Sequence, residues 1–248
     1  AALEGSDVAI NSVGILYERG QQRFDAIHAQ AAERVAKAAA AAGVGRLVHI
    51  SALGEDPMSR YGRSKIAGET AIRAAFPQAT ILRPSLVFGP EDDFFNRFAA
   101  LARLVPVLPL IDGGHTRFQP VHVVDVAAAV MRALDDDDTA GRTFELGGPR
   151  IYSFRELLEY IVSETDRRCL LLPVPSALMA IKAWFLEFWP NPPLTRDQVL
   201  QLATDSVVGT GNGSLADLSI SPTALEAVVP SYLARYRRGG GLEPSRSA

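Results

Sequence analysis

The sequence predicts an α/β fold: a parallel sheet wound with helices on both faces, followed by a smaller, mainly helical C-terminal lobe. Three observations carry that expectation. Short apolar runs alternate with helix-forming stretches across roughly the first 150 residues. Gly43 and Pro77 punctuate the ends of helical stretches just before apolar runs. From Tyr152 onward the strand-like runs give way to helices and proline-rich loops.

Taken in order, AALEGSDVAINSVGIL leads through Gly5 into a strand at 7–11 that stops by Gly14. It is short and apolar, as a buried parallel strand is. FDAIHAQAAERVAKAAAAAGVG is a helix by propensity, closed by Gly43, and RLVHISAL is the second strand. The loop GEDPMS opens the helix YGRSKIAGETAIRAAF, which Pro77 stops before the strand ATILRPSLVFG. The pattern loosens in PEDDFFNRFAALARLVPVLPLIDGG, where Glu91, Asp92 and Asp93 read as the acidic, capped start of a helix. A strand and helix in RFQPVHVVDVAAAVMRAL, a solvated DDDD turn and the short strand TFELGG complete the alternation. The expected boundaries are 1–150 for the sheet domain, with 89–115 contributing to the lobe, 151–238 for the lobe, and 239–248 for a disordered tail.

Composition narrows the function. With 248 residues, 48% of them hydrophobic and 21% charged, the chain can bury one substantial core. A net charge of −3 supplies no positive field for nucleic acid or anionic lipid. The single Cys169 cannot form an internal disulfide, no Cys/His spacing matches a metal site, and His49, His115 and His122 read as strand-end or loop residues. With neither a long apolar run nor a signal-peptide pattern, no transmembrane segment is expected and the cytoplasm is the default.

The chemistry centres on YGRSK. Tyr61 and Lys65 are four apart on a helix and share a face. An ammonium about 4 Å from a phenolate, at an effective dielectric near 20, contributes roughly 4 kcal/mol. That is enough to bring a tyrosine pKa from about 10 toward neutrality and make it a general acid or base. The pair follows the strand RLVHIS and precedes ILRPSLVFG, whose Arg83-Pro84 stands at a strand end, where an α/β sheet places its ligand crevice.

INSVG, the helix with His28, HIS at 49–51, Y-x-x-x-K, RPS at 83–85 and VHVVDVA at 121–127 occur in one order. In this the chain resembles the extended or atypical short-chain dehydrogenase/reductase superfamily, the NAD-dependent epimerase/dehydratase-like proteins with a Rossmann-type doubly wound sheet. SALG, SRYGRSKIAGE, ATILRPSLVFGPEDDFFNRFA, TFELGGP and PPLTRDQV together look like the branch containing the nucleotide-binding accessory subunits of respiratory complex I and their bacterial relatives. The resemblance implies NADP or NAD as cofactor. It implies that Asn11, Ser12, Val13 and Gly14 lie beside the adenosine and ribose, that His28 touches the cofactor edge, and that Tyr61 and Lys65 face the nicotinamide ribose. Pro84 and Ser85 would border the nicotinamide, and Arg117 and Gln119 the substrate crevice. Ser51 stands where the family's catalytic hydroxyl is sought, but Ala52 and Leu53 follow it, so the usual double hydroxyl is absent and a proton relay is weakened.

No strand, Gly-rich turn and helix of the pyrophosphate-binding form opens the chain, and Gly209, Gly211 and Gly213 read as a loop. By resemblance the first three strands are missing, so the chain is expected to be N-terminally truncated. The leading functional expectation is an accessory protein that holds the dinucleotide structurally. The alternative is an active oxidoreductase or epimerase using Tyr61 and Lys65, on a quinone-related substrate; a third is a fragment inert by itself. In SALMAIKAWFLEFWP, the residues Leu178, Ile181, Phe185 and Trp189, widened by Trp184 and Phe188, form a helical stripe. It either covers the lobe's own core or docks on a membrane surface or membrane-protein neighbour, which would place the protein peripherally at the inner membrane within complex I or another membrane-associated assembly.

Overall fold

The computed structural model describes residues 3–54, 56–189, 192 and 194–240. Strands β1 (Val8–Asn11), β2 (Arg46–Ile50) and β3 (Thr80–Pro84) alternate with helices α1 (Ala31–Ala41) and α2 (Arg60–Ala75). Then follow β4 (Val87–Phe88), α3 (Asp93–Leu104), β5 (Val107–Ile111), β6 (Arg117–Phe118), β7 (Val121–His122) and α4 (Val123–Asp135). The chain continues through β8 (Thr143–Leu146), β9 (Tyr152–Ser153), α5 (Phe154–Glu164), β10 (Leu170–Val174), α6 (Ser176–Leu186), α7 (Arg196–Gln201) and α8 (Leu225–Leu233). The main sheet is parallel in the order β1-β2-β3-β8, which is the α/β architecture the alternation predicts.

Each face of this sheet is covered by its own set of helices. Ala32, Ala36 and Ala39 of α1 bury against Ala9 and Leu47 with Ile72 and Phe76, and their small side chains make that helix face flat. On the other face Val48, Leu82, Phe144 and Leu146 meet Val126, Ala129, Val130 and Ala133 of α4, and Leu215 and Leu218 join them. The stretch around Gly213 lies along the outer edge of β8, exchanging Glu145 N–H to Gly213 O and Gly213 N–H to Thr143 O. Chain from the C-terminal half, around 206–220, therefore returns to the sheet.

Three local expectations are corrected. β1 is not buried on both sides: Val8 is 42% and Ile10 48% exposed, while Ala9 on the opposite face is buried with the alanines of α1, and α4 packs on β2 and β3. The single strand expected at 79–89 breaks after Pro84, where a bend at Ser85 and Leu86 carries the chain out of the sheet so that Phe88 enters the lobe core. The helix expected from Phe24 begins with a π-helical stretch, Asp25–Gln30, before α1.

The lobe packs α3, α5 and α8 around Phe88, Phe95, Phe154, Leu157, Val229 and Leu233. It also contains a two-stranded parallel sheet of β5 and β10. Asp92 caps α3, accepting from Phe95 N–H at 2.6 Å as the acidic run suggests, and takes the Tyr232 hydroxyl of α8 at 2.6 Å. Beside this core, α6 buries only Met179 and Ala183 toward Ile111 and Val199. Its stripe points outward, with Leu178 and Ile181 each 57%, Phe185 61%, Phe188 75% and Trp189 69% exposed. The expected tail lies outside the described residues apart from Gly239 and Gly240.

Candidate functional site

The site forms at the carboxyl ends of β1, β2 and β3, where the turn after β1, the loop after β2, the first turns of α2 and the Pro84–Ser85 bend converge. Helix α2 brings Tyr61 and Lys65 there. Its four leading backbone N–H groups, which a helix cannot satisfy internally, all have acceptors. Asp56 O accepts from the N-cap Ser59 N–H at 3.0 Å, and Ser59 Oγ accepts from Gly62 N–H at 2.8 Å. Asp197 of α7 accepts from Arg60 N–H at 2.7 Å and from Tyr61 N–H at 3.1 Å.

Lys65 is 5% exposed and donates to Ile50 O at 3.1 Å, which places its ammonium beneath the end of β2. The half-buried Tyr61 ring stands edge-on to His28, with centroids 5.3 Å apart, and to Phe24 at 5.9 Å.

His28 and Asn11, both expected beside the cofactor, hydrogen-bond the turn after β1. His28 Nε2 accepts from Ile15 N–H at 2.9 Å, so Nδ1 carries the proton and donates to Ser64 Oγ at 2.8 Å; Ser64 donates in turn to Tyr61 O at 2.7 Å. Burial, and after it the Lys65 charge, lower the His28 pKa to about 4, so the ring is neutral at ordinary pH. With both nitrogens engaged, His28 ties the 11–15 turn to α2 and has no hydrogen bond left for a ligand. Asn11 is buried; its Oδ1 accepts from Val13 N–H at 3.3 Å and its Nδ2 donates to His49 Nδ1 at 3.1 Å. His49 is likewise held neutral by burial and then by Lys65, with its pKa near 4. These contacts leave Ser12, Val13 and Gly14 exposed at the rim.

Ser51 lies at the end of β2. It is buried, and its hydroxyl hydrogen-bonds the Glu69 carboxylate. Glu69 receives a two-pronged ion pair from Arg83, Nε at 2.8 Å and Nη2 at 2.6 Å. Burial pushes the Glu69 pKa up, but the bonds from Arg83 and Ser51 outweigh it and hold the carboxyl below its usual value. Ser51 thus belongs to the buried pair that fastens α2 to β3.

Pro84 is buried and its carbonyl accepts from Leu53 N–H at 2.9 Å. The Ser85 hydroxyl donates to Ser206 O at 2.6 Å. Gln119 donates from Nε2 to Gly148 O at 2.8 Å and accepts from Val208 N–H at 3.1 Å, which occupies both ends of its amide. Arg117 pairs with Asp205, Nη2 to Oδ2 at 2.7 Å, and is 61% exposed. The two residues expected at a substrate crevice therefore hold the returning segment 205–208. The Gly209–Gly213 stretch is a loop, with Gly209 N–H and Asn212 Nδ2 each 2.7 Å from Glu145.

Sequence reasoning missed Ser64, Glu69 and Asp197. The first two had a signal: Ser64 follows Tyr61 by three residues, and Glu69 follows Lys65 by four on the same helix face. Asp197 had none in its local pattern.

Residues 54–184 match the RmlD substrate binding domain. The chain is 36% identical, over 97% of its length and 63% of the relative's, to "NADH dehydrogenase [ubiquinone] 1 alpha subcomplex subunit 9, mitochondrial" of Arabidopsis thaliana. To the "NADH-ubiquinone oxidoreductase 40 kDa subunit, mitochondrial" of Neurospora crassa it is 32% identical, over 94% of this chain and 62% of that one. The chain thus spans under two thirds of the length of these curated relatives. Among solved structures, the dTDP-glucose 4,6-dehydratase DesIV from Streptomyces venezuelae, with NAD and TYD bound, superposes at a TM-score of 0.68, with 18% identity over 95% of this chain and 74% of that chain. A dTDP-4-dehydrorhamnose reductase from Clostridium acetobutylicum gives a TM-score of 0.59 and 22% identity over 86% and 78%. At those identities the likeness is one of fold. The chain belongs to the RmlD substrate binding domain family, in the short-chain dehydrogenase/reductase-like fold.

Proposed function

We propose that the chain is part of an accessory subunit of a respiratory NADH–ubiquinone oxidoreductase and holds NADP or NAD as a structural element. The observation that carries this is the similarity, above 30% identity across nearly the whole chain, to proteins named as subunits of that enzyme. The site is consistent with it: Ser51, His28, Asn11 and Gln119 spend their hydrogen bonds on holding the fold.

The residues present would suit a dinucleotide apart from its pyrophosphate. Lys65 would bind the ribose hydroxyls, the rim at Ser12, Val13 and Gly14 would border the adenosine side, and Pro84 and Ser85 would flank the nicotinamide ring. Among the described residues no G-x-G-x-x-G turn joins a strand to a helix, so the pyrophosphate has no counterpart there. A bound nicotinamide supplies or accepts a hydride. In the accessory role that chemistry is unused, and Tyr61 and Lys65 serve as a seat.

The outward face of α6 supplies the contact with the assembly. No described helix is long and apolar enough to cross a membrane. Leu178, Ile181 and Phe185 on α6, with Phe188 and Trp189 in the turn that follows it, form a run of exposed apolar side chains of the kind that marks an interaction site.

The test is fluorescence titration of the full-length natural protein with NADPH and NADH, together with turnover assays on quinone, ketone and sugar-nucleotide substrates, for wild type and Tyr61→Phe. Binding without turnover in both proteins supports the accessory role. Turnover at an ordinary enzymatic rate that Tyr61→Phe abolishes would replace it with the oxidoreductase or epimerase reading.

A further inference from the structure

The motif PLTRDQV has a structural task in the site. Thr195 and Gln198 form a reciprocal capping box that starts α7, and Arg196 is gripped by Glu187 at the end of α6, through its backbone N–H at 2.7 Å and its Nε at 3.0 Å. The next residue, Asp197, turns toward the sheet domain. Its two oxygens take the Arg60 and Tyr61 N–H groups, and Oδ2 also takes Gln201 Nε2 at 3.0 Å. A carboxylate there also complements the positive end of the α2 dipole.

We propose that Asp197 is a positioning residue that sets the first turn of α2, and with it the Tyr61 backbone, from the lobe, and that the chain α6–Glu187–Arg196–Asp197 transmits the state of the outward-facing α6 to the Tyr61–Lys65 site. The sheet domain itself supplies acceptors for the Ser59 and Gly62 N–H groups, Asp56 O and Ser59 Oγ. The lobe supplies those for Arg60 and Tyr61. Met179 and Ala183 of α6 share a small core with Val199 of α7, so a displacement of one helix would be felt by the other. A surface seated on α6 and a ligand at Tyr61 would then influence each other reciprocally. The part that concerns a dinucleotide rests on the function proposed above; the clamp itself does not.

Native-state amide hydrogen exchange on the full-length protein tests this. In Asp197→Ala, protection of the Arg60 and Tyr61 amides is expected to fall roughly tenfold, the size of a lost helix cap, while the mid-helix Ile72 amide keeps its protection. Asp197→Asn, which retains one acceptor oxygen, restores part of it. Glu187→Ala, which touches neither amide, lowers protection at Arg60 and Tyr61 by a smaller factor. Unchanged exchange at both amides in Asp197→Ala, or an equal loss at Ile72, overturns the clamp, and unchanged exchange in Glu187→Ala overturns the link to α6. With NADPH as probe, affinity is expected to fall in Asp197→Ala and recover in Asp197→Asn; equal affinity in all three proteins overturns the coupling. If the wild type binds no NADPH, the dinucleotide reading fails by itself and the exchange data still decide the clamp.

Discussion

Gly68→Ala isolates the contact on which the site is built, and its effect should run against helix propensity. At an exposed helical position, replacing Gly by Ala stabilises by about 1 kcal/mol. Gly68 is buried within α2, and a Cβ there would lie 2.2 Å from the carbonyl oxygen of His28 and 3.1 Å from its carbonyl carbon. The obstacle is backbone of the π-helical stretch, which cannot rotate aside as a side chain could. Relief requires shifting that stretch, and with it the ring that holds Ile15 N–H and Ser64. Overpacking costs about 1–3 kcal/mol and more where backbone must move; taking about 3 kcal/mol and subtracting the propensity gain leaves a net loss of roughly 2 kcal/mol. Urea unfolding of Gly68→Ala against wild type measures it, with Thr70→Ala on the exposed face of α2 as a control expected within about 0.5 kcal/mol of zero. A stabilised or unchanged Gly68→Ala would refute the close approach and the account of how His28 reaches the turn.

Acid should destabilise the fold in two stages. His28 and His49 have folded pKa values near 4 against an ordinary 6.5, so between those values the unfolded chain binds protons that the native protein does not. Stability therefore falls as pH drops through that window, by up to about 3 kcal/mol for each ring; urea midpoints from pH 7 to 4 for wild type and His28→Asn should show a shallower slope in the variant. Glu69 is depressed, so its contribution is complete above its ordinary value of 4.5 and is lost at lower pH as the folded carboxyl protonates. Glu69→Ala should cost about 3–5 kcal/mol at pH 7 by leaving Arg83 without its carboxylate, which thermal or urea unfolding reads directly; Arg83 also lies 3.8 Å from Glu145, and a loss under about 1 kcal/mol would mean Glu145 takes over. Phe185→Ser on the outward face of α6 should change stability by less than about 0.5 kcal/mol yet reduce association with a partner assembly in co-purification, whereas the fully buried Phe95→Ala should cost about 3–5 kcal/mol in the same unfolding assay.

Much of the fold was legible because it is written in local patterns. The alternation up to Leu146 correctly predicts parallel β1, β2, β3 and β8 with helices on both faces, since each strand needs only a short apolar run and each helix only propensity and an end signal. The Asp92 cap of α3 was readable for the same reason. Legibility failed where a local pattern admits two outcomes. Val8 and Ile10 are as apolar as a buried strand requires, yet whether anything covers them depends on elements elsewhere in the fold. The stripe on α6 is as compatible with an inward as an outward face until Met179 and Ala183 are seen to occupy the inner one.

The shared helix face of Tyr61 and Lys65 was legible, because their four-residue spacing fixes it whatever the rest of the chain does. The hydrogen-bond partners of the other candidate residues were not. Ser51, His28, Gln119 and Asn11 carry groups suited to a ligand, and which partner each takes depends on which polar groups the fold brings within about 3 Å. Ser51 meets Glu69, and His28 meets Ile15 and Ser64. By itself, then, the sequence determined the α/β class, the parallel sheet and the shared helix face of Tyr61 and Lys65, because helix and strand periodicity are properties of neighbouring residues. The tertiary structure alone decided that Asp197 completes the cap of α2 and that the α6 aromatics face outward. A carboxylate 136 residues from the amide it accepts, and a helix face with two possible neighbours, depend on packing that no short stretch of chain encodes.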